Sequence, residues 1–220
     1  MTAAVDLVAL FSAQIHQTHV ATAACPLPPV PAPLTWISAA NGAFLRGVNP
    51  SRQVLVQINH HGSDLSDVEL QPGVVWPGYG SRLPGRLLGR VLHHARGAVD
   101  RQGRPVEQQY WITDLGRGLT VIRPPQLATA VTVITPRMDL PILCDVHSHH
   151  AMGSYFSGTD DRDDALSIGV SAVIGTIFTT PTIGVRLTVY GHVQDVPATL
   201  IFSDLGPFRD AFAGGTHELP

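Results

Sequence analysis

The chain has 220 residues, 44% of them apolar and 14% charged, with a formal net charge of −3, which suits one ordinary domain and excludes two large ones. No apolar run reaches the ~18–20 residues of a spanning helix, and 14 Lys and Arg spread thinly along the chain exclude a nucleic-acid surface built from positive charge. Cys25 and Cys144 lie too far apart for a disulfide framework or a Cys-rich zinc site, whereas His, at 11 residues, is nearly as frequent as Lys and Arg together. The opening apolar stretch lacks a basic leader and is broken by Gln14, His16 and Gln17, so the sequence predicts a cytoplasmic protein without a secretory signal or membrane segment.

In chain order, residues 1–24 hold a weak helical pattern (Val5, Val8, Leu10, Phe11, Ile15), and residues 25–33 form a Pro-rich spacer in extended polyproline II. Residues 34–83 read as a small β-rich unit. Its strands are Leu34–Ser38 and Ala43–Arg46 around an Asn41-Gly42 turn, then Val54–Ile58. From residue 84 to 205 the pattern changes. Leu87, Leu88, Val91, Leu92 and Ala95 predict a helix over Pro84–Gly97. Strands are expected at Gln108–Thr113, Leu119–Arg123, Ala130–Thr135 and Pro141–His147. A helix from Ser157 to about Gly169 follows, then strands at Ala172–Phe178, Val185–Tyr190 and Ala198–Phe202. Residues 206–220, with Gly214-Gly215, read as a flexible tail. The order predicts an α/β fold of α+β character, a mixed sheet with helices packed on it.

The chemistry concentrates in one stretch. Strand side chains alternate faces, so His147 and His149 project to the same side while Ser148 and His150 point away. Ser157 and Asp160 have the spacing of a capping pair at a helix start, which brings the Asp160 carboxylate back toward the entering chain. Two imidazoles and one carboxylate leave a tetrahedral zinc with one open position, the catalytic arrangement. A hydrolytic site also needs a base, and Glu107, at a loop-to-strand junction, reaches the metal water if its strand neighbours Asp145–His149. The surrounding polar residues have plainer roles. Asp161, Asp163 and Asp164 place negative charge at the helix N-terminus, and Asp145 shares the His147 face. His60-His61 and His93-His94 read as surface pairs, and Cys144 as a small apolar packing residue.

His147-x-His149, seven residues, then Ser157-x-x-Asp160 resembles the metal-binding motif of the JAMM (MPN+/JAB-domain) metalloisopeptidases, and Pro105-x-Glu107 after a helix is similar to their glutamate segment. More narrowly, the chain resembles bacterial JAB-domain proteins of PRTRC systems, encoded with mobile-element genes. The resemblance spans about residues 84–205 and implies a three-layer JAB/MPN (cytidine-deaminase-like) architecture. It further implies one Zn2+ ion held by His147, His149 and Asp160, an oxyanion hydrogen bond from Ser157, and proton transfer from water to the leaving amine by Glu107. The implied partner is a protein or peptide substrate, with ubiquitin-like conjugates among the candidates; the oligomeric state is left open. Two positions depart from the pattern. His150 stands where Pro is common, and Gln108-Gln109-Tyr110-Trp111 stands where the family commonly continues with Cys-Gly. The competing reading is a JAB-like scaffold that binds without cleaving. A zinc nucleobase deaminase would need a Pro-Cys-x-x-Cys segment, which two distant cysteines cannot supply.

Overall fold

The computed structural model describes residues 16–28, 32–136, 138 and 140–213. Alternating apolar side chains build a first, five-stranded sheet, ordered β1 (His16–Val20), β2 (Leu34–Ala39), β3 (Gly42–Asn49), β4 (Arg52–Asn59) and β5 (Gly73–Val75). β1 runs parallel to β2, and the remaining pairs are antiparallel. Helix α1 (Arg86–Arg96) follows, buries Leu87, Leu88, Val91, Leu92 and Ala95 along one side, and ends at Gly97.

The second sheet carries the site. Its strands are β6 (Gln109–Asp114), β7 (Leu119–Ile122), β10 (Ile142–Ser148), β11 (Ile168–Gly175), β12 (Thr182–Val189) and β13 (His192–Val196), in the spatial order β13-β12-β11-β10-β6-β7. β14 (Arg209–Asp210) adds to β12. A small hairpin, β8 (Leu127–Ala128) with β9 (Val133–Ile134), stands apart from both sheets. β10 pairs antiparallel with β6 but parallel with β11. The parallel pairing requires a crossover, and that crossover contains α2 (Gly158–Asp164). A short helix, α3 (Ala198–Ile201), follows β13.

One apolar core joins the two sheets. It contains Leu45, Val54 and Val56 from the first, Trp76 just after β5, Leu88 and Val91 from α1, and Tyr110, Cys144, Val146, Val170 and Leu187 from the second. Polar ties cross the same boundary. Trp76 Nε1 donates to the Leu143 carbonyl at 3.0 Å, the Arg52 guanidinium donates to the Ile142 carbonyl, and Gln57 N–H donates to Gln194 Oε1 at 2.7 Å. Because strand side chains alternate, burying Cys144 and Val146 in this core turns Asp145 and His147 to the opposite face. Among the described residues no helix is long and apolar enough to cross a membrane.

The mixed α/β character expected from the sequence is present, with differences in particular elements. The helix expected from Ser157 to about Gly169 ends at Asp164, because Ile168 and Gly169 already pair with Val189 and Thr188. Ala198–Phe202, expected as a strand, contains α3 instead. Pro197 precedes it, and the Ala198 N–H is capped by Asp210 Oδ2 at 2.7 Å, a partner distant in sequence. The hairpin turn lies at Ala40-Asn41, with Gly42 already paired to Ala39. A Cβ at Gly42 would stand 2.1 Å from the Asn59 carbonyl oxygen, so only glycine fits. The expected tail contributes β14, while Gly214-Gly215 lies outside the described residues. Of the helical segment expected over residues 1–24, residues 1–15 lie outside them, as does the middle of the Pro-rich spacer, while His16–Val20 forms strand β1 instead because it pairs with Leu34–Ser38.

Candidate metal centre

At the C-terminal end of β10 the chain delivers two imidazoles to one point. His147 is the second-last residue of the strand, and His149 prolongs the ladder by donating its N–H to the Ile174 carbonyl at 2.8 Å. Their Nε2 atoms lie 3.1 Å apart. The Gly153 carbonyl, 3.0 Å from His149 Nδ1, fixes the proton on that nitrogen and leaves Nε2 facing His147 as a lone pair. Burial depresses both imidazoles, His147 to about 4, with Asp160 opposing the shift and His149 adding to it. Both are therefore neutral at pH 7, the state that binds a metal.

Asp160 arrives from the crossover. Ser157 caps α2, its Oγ accepting from the backbone N–H groups of Thr159 and Asp160. In return Asp160 Oδ2 accepts from the Ser157 N–H at 2.6 Å and from the Ser157 hydroxyl at 2.7 Å. That engagement turns the other carboxylate oxygen, Oδ1, to a position 3.6 Å from His147 Nε2. α2 itself buries no apolar side chain and is held by charge. Arg186 of β12 bonds Asp161 at 2.6 Å and Asp195 at 3.1 Å, lies 3.6 Å from Asp164, and packs 4.1 Å over the Phe156 ring.

Glu107 enters from the other side. Its N–H donates to the Thr129 carbonyl at 2.8 Å, and its Oε1 stands 3.9 Å from His149 Nε2. Burial, with the Asp160 charge adding, pushes its carboxyl up to about 7. These groups line a cavity of about 180 Å³ with Val131, Val133, Met152 and Tyr155. The Tyr155 ring meets His149 edge-on at 4.8 Å between centroids. Asp145 sits deeper on the His147 face, bonded to Gln109 Nε2 at 2.5 Å, with its other oxygen buried and unpartnered, and burial pushes its carboxyl up to about 7.

Among the described residues no three His, Cys, Asp or Glu side chains form a closed metal-binding group; the donors meet pairwise through His147. Their separations of 3.1 and 3.6 Å bracket the ~3.3 Å that tetrahedral bonds of 2.0–2.1 Å would give. Two of the three donor separations therefore suit a zinc ion, while the three side chains do not close on one point. Without metal, the His147–His149 contact is satisfied by a proton on His147 Nε2, since His149 Nε2 carries none.

The structure thus brings His147, His149, Asp160, Ser157 and Glu107 together. His150 is turned away, both ring nitrogens engaged by backbone. His94 stacks on Tyr110 at 6.4 Å and lines a different cavity. Sequence reasoning missed Arg186 and Gln109. Arg186 carries no local signal, because only the β11–β12 register brings it under α2; Gln109 was visible only as a departure from a family pattern. No curated protein matches the chain. Residues 88–188, the stretch that supplies both imidazoles, both carboxylates and Ser157, are similar to the family of prokaryotic homologs of the JAB domain.

Proposed function

We propose that the protein is a zinc-dependent hydrolase of peptide or isopeptide bonds, with His147, His149 and Asp160 holding one Zn2+ ion. The observation that carries this reading is the 3.1 Å approach of two neutral imidazole nitrogens, with carboxylate oxygens 3.6 and 3.9 Å from them. A zinc ion held there supplies a Lewis acid and lowers the pKa of its water toward ~7. In this reading Glu107 does not ligate but acts as the base toward the metal-bound water, its Oε1 3.9 Å from His149 Nε2. With its carboxyl raised to about 7, it accepts a proton near neutral pH and returns it to the departing amine, as general acid–base work requires. Ser157 orients Asp160 in the resting arrangement. Donating to the oxyanion requires its hydroxyl to turn from Asp160 Oδ2, which leaves that oxygen held by the Ser157 N–H. The exposed cleft and its apolar wall suit an extended protein or peptide segment, a ubiquitin-like conjugate included. A role beside PRTRC-system genes, in the cytoplasm, belongs to the same proposal.

The second reading, a JAB-like module that binds without cleaving, is favoured by the missing three-donor closure among the described residues. Metal analysis of protein purified without chelator, with cleavage assays on ubiquitin-like fusions, separates the two. The hydrolase reading expects about one zinc per chain, lost in His149→Ala. Glu107→Gln should keep the zinc and lose on the order of 10²–10⁴ in rate. Wild type that stays metal-free in excess zinc overturns the reading; zinc without hydrolysis favours the binding module.

A further inference from the structure

His150, next to the second imidazole, has φ 26, in the left-handed region that residues other than glycine rarely adopt. Its carbonyl accepts from the Ile177 N–H at 2.8 Å, and its ring spends both nitrogens on backbone. Nδ1 accepts from the Ala151 N–H at 2.9 Å, and Nε2 lies 2.8 Å from the Ala130 carbonyl oxygen. A carbonyl can only accept, so these two partners assign the ring proton to Nε2.

Ala130 belongs to the loop joining β8 and β9. The preceding carbonyl, Thr129, accepts from the Glu107 N–H at 2.8 Å. Two consecutive carbonyls are thus tied to the two segments that carry the site, the glutamate segment and the turn after His149. The following residues, Val131 and Val133, form a wall of the cleft. Beyond these, the hairpin is tied at its two ends to Gln109, through Gln126 before β8 and the Thr135 hydroxyl after β9, and among the described residues its tip has only the two carbonyl bonds. The hairpin has only two paired positions, and Leu127, Val131 and Ile134 are 77%, 70% and 62% exposed. Hairpins that short and that poorly packed are marginal alone.

We propose that His150 is a positioning residue that pins the β8–β9 hairpin against the metal centre and thereby sets how tightly the cleft holds its substrate segment. The kinetic half rests on the hydrolase reading; the mechanical half rests on the hydrogen bonds alone. Two variants test it. His150→Gly keeps the turn, since glycine takes φ 26 without strain, but removes the ring. His150→Gln restores an N–H on a side chain of similar reach. The readouts are amide hydrogen exchange over residues 127–134, zinc content, and KM and kcat on a ubiquitin-like protein with a fluorogenic C-terminal amide.

His150→Gly should speed hairpin exchange about tenfold and raise KM about fivefold, the factor expected for one neutral hydrogen bond. It should leave kcat within about twofold and zinc unchanged, and His150→Gln should recover most of the loss. Hairpin exchange at the wild-type rate in His150→Gly overturns the proposal. So does loss of zinc in that variant, which would place the ring's role in the metal site. A wild type that hydrolyses nothing sinks the hydrolase reading, while the exchange comparison still decides whether His150 pins the hairpin.

Discussion

Glu107 is held in a place that favours its neutral form. Its carboxyl lies at about 7 in the folded chain against 4.5 ordinarily, through burial first and the Asp160 charge second. The folded state therefore binds an extra proton between those values. Stability linked to that proton is fully present below about pH 4.5 and is lost as pH rises through about 7. Metal-free Glu107→Gln, which cannot ionise, should then be more stable than wild type at pH 8 by on the order of 1–3 kcal/mol. The difference should vanish near pH 4.5, the ordinary value. Urea unfolding of EDTA-treated protein at both pH values measures it, and a pH-independent difference would contradict the burial of this carboxyl. The candidate site was legible as a short spacing pattern, because His147, His149, Ser157 and Asp160 are placed by local rules of strand alternation and helix capping. Gly153 was not legible as the tether of His149, since nothing in its type announces that its carbonyl meets an imidazole.

Elements placed by their own pattern were read close to their true bounds, α1, β6, β7 and β10 among them. Elements decided by distant partners were not. β13 escaped notice because its apolar alternation is weak, and it exists by pairing with β12 across the Tyr190-Gly191 turn. α3 was read as a strand because its cap comes from Asp210. The end of β11 shows the same dependence on distant contacts. A Cβ on Gly175 would lie 2.4–2.5 Å from backbone atoms of Met152, Gly153 and Ser154, the turn that orients His149. Gly175→Ala must push that turn away, breaking the Gly153–His149 hydrogen bond. It should lower the melting temperature by several degrees, consistent with a cost of about 1–3 kcal/mol for overpacking, and weaken zinc binding at least tenfold by calorimetry, the range for lost ligand support. Unchanged zinc affinity would show that the tether does not matter.

At the scale of the whole chain, the β-rich unit before residue 84 and the JAB-like stretch share one core. The sequence marked β2, β3 and β4 but not β1 and β5, and it could not show what their apolar faces cover, since pattern gives a face and not its partner. A chain beginning at Pro84 would expose the core-facing side of the second sheet and leave the Ile142 and Leu143 carbonyls without Arg52 and Trp76. It should bind a hydrophobic dye and unfold without a sharp transition, whereas the full chain should unfold in one cooperative step. Two separate transitions in the full chain would contradict the shared core. The attachment of α2 carries a further consequence. With no apolar face, this helix keeps Asp160 in place through Arg186, whose partners range from Asp161, 59% exposed, to Asp164, 8% exposed. Ions in solution screen the exposed contact far more than the buried one. Zinc affinity should therefore decline by about two- to threefold as ionic strength rises from 0.05 to 1 M, where the Debye length shrinks to ~3 Å. In Arg186→Gln it should start lower and respond less, making the proposed third ligand, Asp160, a reporter of the salt around it.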